Sequence, residues 1–200
     1  MLVESELREL IESARSHPLS DTPSRILVQL HMWRVAHLLD GMMSADASGL
    51  SELVALSFRP GVETGIYGLY YLTHPEESER FFVGGDKELQ RIFKNHEIDI
   101  PFYGEGDKGP VTWDQAFLAA REALERPHVP LYLDDLKMYY SAFSSQHLHG
   151  GLGAVARYAT IDGDAPAPNH RPEPILPSAV SIELVGLILG DLSEQYVKHE

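Results

Sequence analysis

Gly65-Ile66-Tyr67-Gly68-Leu69-Tyr70-Tyr71-Leu72-Thr73 decides how the rest of this 200-residue chain is read. The stretch carries no charge and is rich in aromatic and branched side chains, a composition that favours a strand. An acidic turn follows, His74-Pro75-Glu76-Glu77-Ser78-Glu79, and then Arg80-Phe81-Phe82-Val83, which runs into Gly84-Gly85. Strand, turn and strand in that order predict an antiparallel hairpin. Residues 98–103 add a short edge strand, since Pro101 disfavours a central one, and Leu152 to Ile161 reads as another. The fold expected from this stretch is α+β: a small antiparallel sheet of three to five strands packed by about six helices.

Helices surround the proposed sheet. Residues 3–16 place Leu7, Leu10, Ile11 and Ala14 at helical spacing, with Glu4, Glu6, Arg8, Glu9 and Glu12 on the other faces. Asp21-Thr22-Pro23 supplies an N-cap and a first-turn proline for a long central helix near 23–43. Its main apolar face is Leu27, Val28, Val35, Leu38, Leu39 and Met42. Ile26, Leu30 and Trp33 form a second patch, so the helix is expected between two layers. A short helix at 49–57 ends before Arg59-Pro60-Gly61, and Asp86 caps another over 87–96. Thr112 with Gln115 forms a capping-box signature for a helix over 113–126. Leu131-Tyr132-Leu133 reads either as a strand or as part of a helix reaching Phe143. Pro166, Pro168, Pro172, Pro174 and Pro177 make residues 162–177 a Pro-rich linker. The expected organisation is a domain over 1–161, that linker, and a C-terminal helix over 178–200. The helix is apolar on nearly every side and so is expected to dock on the domain or on a partner, a possible route to a homo-oligomer.

Charge narrows the function classes. Sixteen Lys and Arg against 30 Asp and Glu leave a net charge of −14. Phosphate backbones and anionic membranes both call for a cationic face, so neither nucleic acid nor membrane is expected as a partner. No run reaches the length of a membrane span, and Met1 to Ser16 lacks an apolar leader core, so a cytoplasmic location is expected. With no cysteine there is no disulfide, thiolate zinc site or thiol nucleophile. The acids are spread along the chain: eight against four bases in residues 1–57, ten against six in 58–110, and twelve against six in 111–200. They belong to a folded surface and not to a tail.

Motifs add little chemistry. Gly104-Glu105-Gly106-Asp107-Lys108-Gly109 matches the glycine pattern of a dinucleotide loop, but its two carboxylates repel a pyrophosphate and Pro110 removes a donor. A solvated loop is the preferred reading. His147 and His149 at i and i+2 could reach one metal from a strand, with His128, Asp134 or Asp135 as further ligands, yet no third ligand stands at a diagnostic spacing. His31 falls on the apolar face of the long helix as a core histidine. Arg34, His37 and Asp40 share a helical face, Lys87, Arg91 and Lys94 another. Tyr67, Tyr70 and Tyr71 could form an aromatic pocket near Trp113, although sheet packing explains them as well.

No catalytic residue, metal or cofactor is assigned. The leading reading is a non-enzymatic acidic interaction protein of the inhibitor or immunity type, which neutralises a basic partner such as a toxin or nuclease. Its expected partner-binding residues are Glu76, Glu77, Glu79, Glu105, Asp107, Asp134 and Asp135. The alternative is a small metal-assisted hydrolase using His147 and His149 with nearby carboxylates.

Overall fold

The computed structural model describes residues 2–18, 20, 22–77, 111–124, 129–148, 159–162, 165–168 and 177–199. Over these residues the chain forms α1 (Glu4–Ser16), α2 (Pro23–Ala47), α3 (Ser51–Thr73), α4 (Trp113–Ala123), α5 (Val129–Leu148) and α6 (Ser178–Lys198). The fold is all-helical, and the α+β expectation is wrong. The one β pairing among the described residues is a ribbon of β1 (Ala159–Asp162) and β2 (Ala165–Pro168), with Ala159 opposite Pro168 and Asp162 opposite Ala165. Eight residues in two strands cannot make a layer on which helices pack. The expected strands at 80–83 and 98–103, the helix at 87–96 and the glycine loop at 104–109 all lie outside the described residues.

The stretch from Gly65 to Thr73 is the last part of α3, and glycine spacing explains why. Gly61, Gly65 and Gly68 recur at intervals of four and three, so on a helix they fall on one side and leave a shallow trough. Val185 of α6 fills it at Gly61, Ile188 at Gly65 and Leu192 at Gly68. Both number series rise together, so α3 and α6 run parallel. A Cβ on Gly65 would come within 2.0 Å of the Ile188 Cγ2, and one on Gly186 within 2.4 Å of the Leu7 Cδ2. Backbones can approach this closely only where a side chain is missing. Pro60 lies inside α3 and takes away one ladder hydrogen bond, at a cost of about 3 kcal/mol in an isolated helix. Buried Val54, Phe58, Val62, Ile66 and Leu69 on both sides of it carry the helix through.

The long central helix is as expected at its start, with Thr22 as N-cap and Pro23 in the first turn, and it continues to Ala47. Leu27, Val28, Met32, Val35, Ala36, Leu39 and Met42 are buried at helical spacing, and α2 packs on α1, α3 and α6. Leu30, assigned to a second buried patch, is exposed instead. The connection from α1 is locked by Gln29, which is fully buried. Its Oε1 accepts from the Ser20 N–H at 3.0 Å, and its Nε2 donates to the His17 and Pro18 carbonyls at 3.0 and 2.7 Å. The Trp33 indole N–H donates to the Ala14 carbonyl at 3.0 Å, closing the end of α1.

The C-terminal helix is buried in the chain's own core. Ile182, Leu184, Val185, Ile188, Leu189, Leu192 and Tyr196 all join that core, and α6 packs on α1, α2 and α3. Pro177 holds the N-cap position, and Ser178 is the first helical residue. The helices α4 and α5 pack on α3. Thr112 and Gln115 form the reciprocal cap that the sequence indicates, with the Gln115 N–H donating to the Thr112 Oγ1. Arg121 meets Asp134 and Lys137 meets Asp114, so α4 and α5 run antiparallel.

Candidate functional site

Of the seven expected partner-binding acids, four are described. Glu76 is exposed and Glu77 half-buried in a helical segment that opens at Pro75 just past the end of α3, while Asp134 and Asp135 are exposed on α5. Tyr132, one turn before them, donates to an Asp191 carboxylate oxygen at 2.5 Å, which fixes the level of α5 against α6. One pair follows the end of α3 and the other stands on α5. Glu79, Glu105 and Asp107 lie outside the described residues.

Around Asp134 the surface is a seam between α4 and α5. An Asp134 carboxylate oxygen is 3.5 Å from the Arg121 guanidinium, and an Asp114 oxygen is 3.5 Å from the Lys137 ammonium. The two Asp side chains are 59% and 81% exposed, so the ion pairs are solvent-screened and weak. The Lys137 ammonium also lies 5.4 Å from the Phe117 ring centre, a modest cation–π contact. Leu118 and Met138 stand on the outer side of the same seam, 56% and 51% exposed.

Under this seam is a polar-aromatic layer that sequence reading missed. Tyr140 of α5 stacks on Trp113 of α4, with ring centres 4.2 Å apart. The Arg59 guanidinium lies 5.0 Å from the Tyr140 ring centre. Trp113 occupies one face of that ring, so Arg59 takes the other. The Tyr140 hydroxyl donates to Glu63, whose Oε1 also accepts from the Arg59 Nε at 2.8 Å. Burial and the neighbouring Glu63 carboxylate push the Tyr140 phenol well above its ordinary value. It is therefore a fixed donor at neutral pH. The missed signal was the i,i+4 spacing of Arg59 and Glu63, which has meaning only on a helix.

The tyrosines expected beside Trp113 divide between partners because they follow a helical period. Tyr67 reaches Trp113 edge-on at 6.5 Å, and its hydroxyl donates to the Val111 carbonyl at 3.2 Å. Tyr71 turns toward His31 at 5.4 Å, and Tyr70 stacks on His74 at 4.5 Å. Burial raises the Tyr71 phenol to about 12. Tyr71 also packs on Tyr67 and Tyr70, with ring centres 6.4 and 5.4 Å apart. The His31 ring lies against the α2–α3 contact, and its Nδ1 is 2.8 Å from the Leu27 carbonyl, which makes Nδ1 the protonated nitrogen. Burial lowers its pKa from the ordinary 6.5.

The remaining candidates stay apart. Asp40 pairs with Arg15 of α1 at 2.8 Å, while Arg34 and His37 are exposed. Among the described residues no group of three or more His, Asp or Glu side chains converges as a metal site would require. His147 belongs to the last turn of α5, and His128, His149, Lys87, Arg91 and Lys94 lie outside the described residues. The same residues contain no helix long and apolar enough to cross a membrane. No family model, curated protein or solved structure matches this chain.

Proposed function

We propose that this protein is a non-enzymatic interaction protein of the inhibitor or immunity type, which binds and neutralises a basic partner protein such as a toxin or nuclease in the cytoplasm. The observation that carries the reading is a net charge of −14 that the chain's own bases cannot neutralise, spread along the whole chain. Asp134, Asp135 and Glu76 are exposed, and the one ion pair drawn to Asp134 is long and open to solvent. Such a surface attracts a cationic protein over a distance set by the Debye length, with fast and salt-sensitive association. It repels phosphate backbones for the same reason.

The test is affinity capture from a lysate of the source cells at about 50 and about 200 mM salt, a rise that roughly halves the screening length for surface charge. The expected result is a specific basic protein retained at the lower salt and released at the higher. A variant carrying E76Q, E77Q, D134N and D135N should lose it. No basic protein retained at low salt, or full retention by the variant, overturns the proposal.

A further inference from the structure

We propose that the outer face of α4 and α5 is where the partner docks, and that the docking element is a basic amphipathic segment presenting one or two apolar side chains between its cations. This rests on the acidic-partner reading above and adds a location and an apolar requirement to it. The site is defined by what the two helices leave uncovered. Leu118 sits 200° around α4 from the buried Ala116 and Ala120, and Met138 sits 200° around α5 from the buried Leu136 and Tyr140. Both therefore point away from the core. The pairings of Arg121 with Asp134 and of Lys137 with Asp114 and Phe117 place the two helices side by side and antiparallel. Leu118 and Met138 consequently flank one seam at nearly the same height.

Acids surround that apolar pair. Asp114, Glu122, Asp134 and Asp135 are exposed on the same two helices, against Arg121 and Lys137, which leaves an excess of two negative charges. Arg121 and Lys137 reach their acids only at 3.5 Å, so incoming arginines or lysines can share those carboxylates at little cost. Apolar contact in the centre and charge at the rim is the usual arrangement of a protein-binding patch. Acidity alone would take any polycation. The exposed leucine and methionine select one with apolar side chains in register, and methionine adapts to irregular ones.

The experiment uses the full chain with two labelled synthetic peptides, read by fluorescence anisotropy at about 50 mM salt. One is a helical amphipathic peptide of leucine and lysine, the other an oligolysine of equal charge. The amphipathic peptide should bind at least tenfold more tightly than the oligolysine. L118S with M138S should weaken it roughly tenfold, the effect of losing two half-buried apolar contacts, and leave oligolysine binding unchanged. D134N with D135N should weaken both peptides, and E4Q with E9Q on α1 should alter neither. All six side chains are exposed, and circular dichroism verifies that each variant keeps its fold. Equal binding of the two peptides, insensitive to L118S with M138S, overturns this site while the acidic-partner reading stands. Failure of both peptides to bind at low salt removes the site as well, and the capture experiment then judges the broader reading alone. If instead L118S with M138S turns a dimer into a monomer by size-exclusion chromatography, the face belongs to a second copy and the proposal is wrong.

Discussion

Replacing Gly65 with alanine tests the parallel contact between α3 and α6 directly. The new methyl would begin 2.0 Å from the Ile188 Cγ2 and 3.4 Å from its Cβ. A comfortable carbon contact is about 3.5 to 4.0 Å, so roughly 1.5 Å of movement is needed. Ile188 cannot supply it by a change far along its side chain, because Cγ2 is attached to Cβ and its χ1 is confined inside a helix. The helices must separate, or Ile188 must leave its rotamer. Overpacking of this kind costs about 1 to 3 kcal/mol. A 2.0 Å approach to a branched carbon belongs to the upper part of that range, about 2 to 3 kcal/mol. Alanine recovers up to about 1 kcal/mol of helix propensity over glycine, so the expected net loss is about 1 to 2 kcal/mol. For a chain of this size each kcal/mol shifts Tm by about 2 to 4 °C. Gly41 of α2 is the internal control, since a Cβ there meets nothing within 4 Å. G41A should stabilise by about 0.5 to 1 kcal/mol, the same chemical change with the opposite sign. Urea titration followed by circular dichroism at 222 nm measures both. Ile188→Leu removes the offending methyl, so G65A/I188L should be less destabilised than the sum of the single variants. If G65A is as stable as the parent, or if the double variant shows no coupling, Gly65 does not face Ile188 and the helical register proposed for residues 65–73 is wrong.

Three further outcomes follow from single side chains. Q29M keeps the volume but leaves the Ser20 N–H and the His17 and Pro18 carbonyls without their buried partner, so it should cost about 2 to 3 kcal/mol by urea titration. T112A removes the N-cap of α4 and should cost about 1 kcal/mol, a loss visible in the same titration and largely avoided by T112S. Burial holds the His31 pKa below 6.5, so the unfolded chain takes up a proton that the folded chain refuses. Unfolding free energy should therefore fall as pH drops below about 6.5, by at most about 1.4 kcal/mol per pH unit from this residue. H31Q should flatten that part of the slope between pH 7 and 5.5, and an unchanged slope would assign it to another group.

Amphipathic helices with strong punctuation were legible in the sequence. Leu7, Ile11 and Ala14 marked α1, Thr22-Pro23 the start of α2, and Thr112 with Gln115 the start of α4, because each signal is local. The failure at residues 65–73 was of a different kind. Aromatic and branched side chains favour a sheet by composition, yet Tyr67, Tyr70 and Tyr71 follow a helical period and reach Trp113, His74 and His31 while packing on one another. Gly61 beside Pro60 looks locally like a helix stop, and Gly65 and Gly68 look like parts of a strand. Their purpose depends on Val185, Ile188 and Leu192, more than a hundred residues later, and no window around residue 65 contains that information. Pro60 misled for the same reason, since only tertiary packing offsets its lost hydrogen bond. At the candidate site, Asp134 and Asp135 were found as exposed acids. The Arg59–Glu63–Tyr140–Trp113 layer was not, because it joins three helices whose pairing the strand reading had already ruled out.

The trough on α3 that α6 fills also sets an order of events for synthesis. Residues 51–73 are made early, but the side chains that belong in the trough are Val185, Ile188 and Leu192, and they leave the ribosome after more than a hundred further residues. At the usual rate of about 5 to 20 residues per second, the glycine face of α3 stays open for several seconds in every new chain. During that interval the nascent protein displays an unfilled apolar channel. Any chaperone or neighbouring nascent chain that meets it does so before the molecule can protect itself. The long closure is tolerable in equilibrium terms, since doubling the intervening length costs only about 0.6 kcal/mol. The vulnerability is one of timing, and slowing translation just ahead of residue 178 should raise aggregation of this protein without changing the stability of the chains that finish.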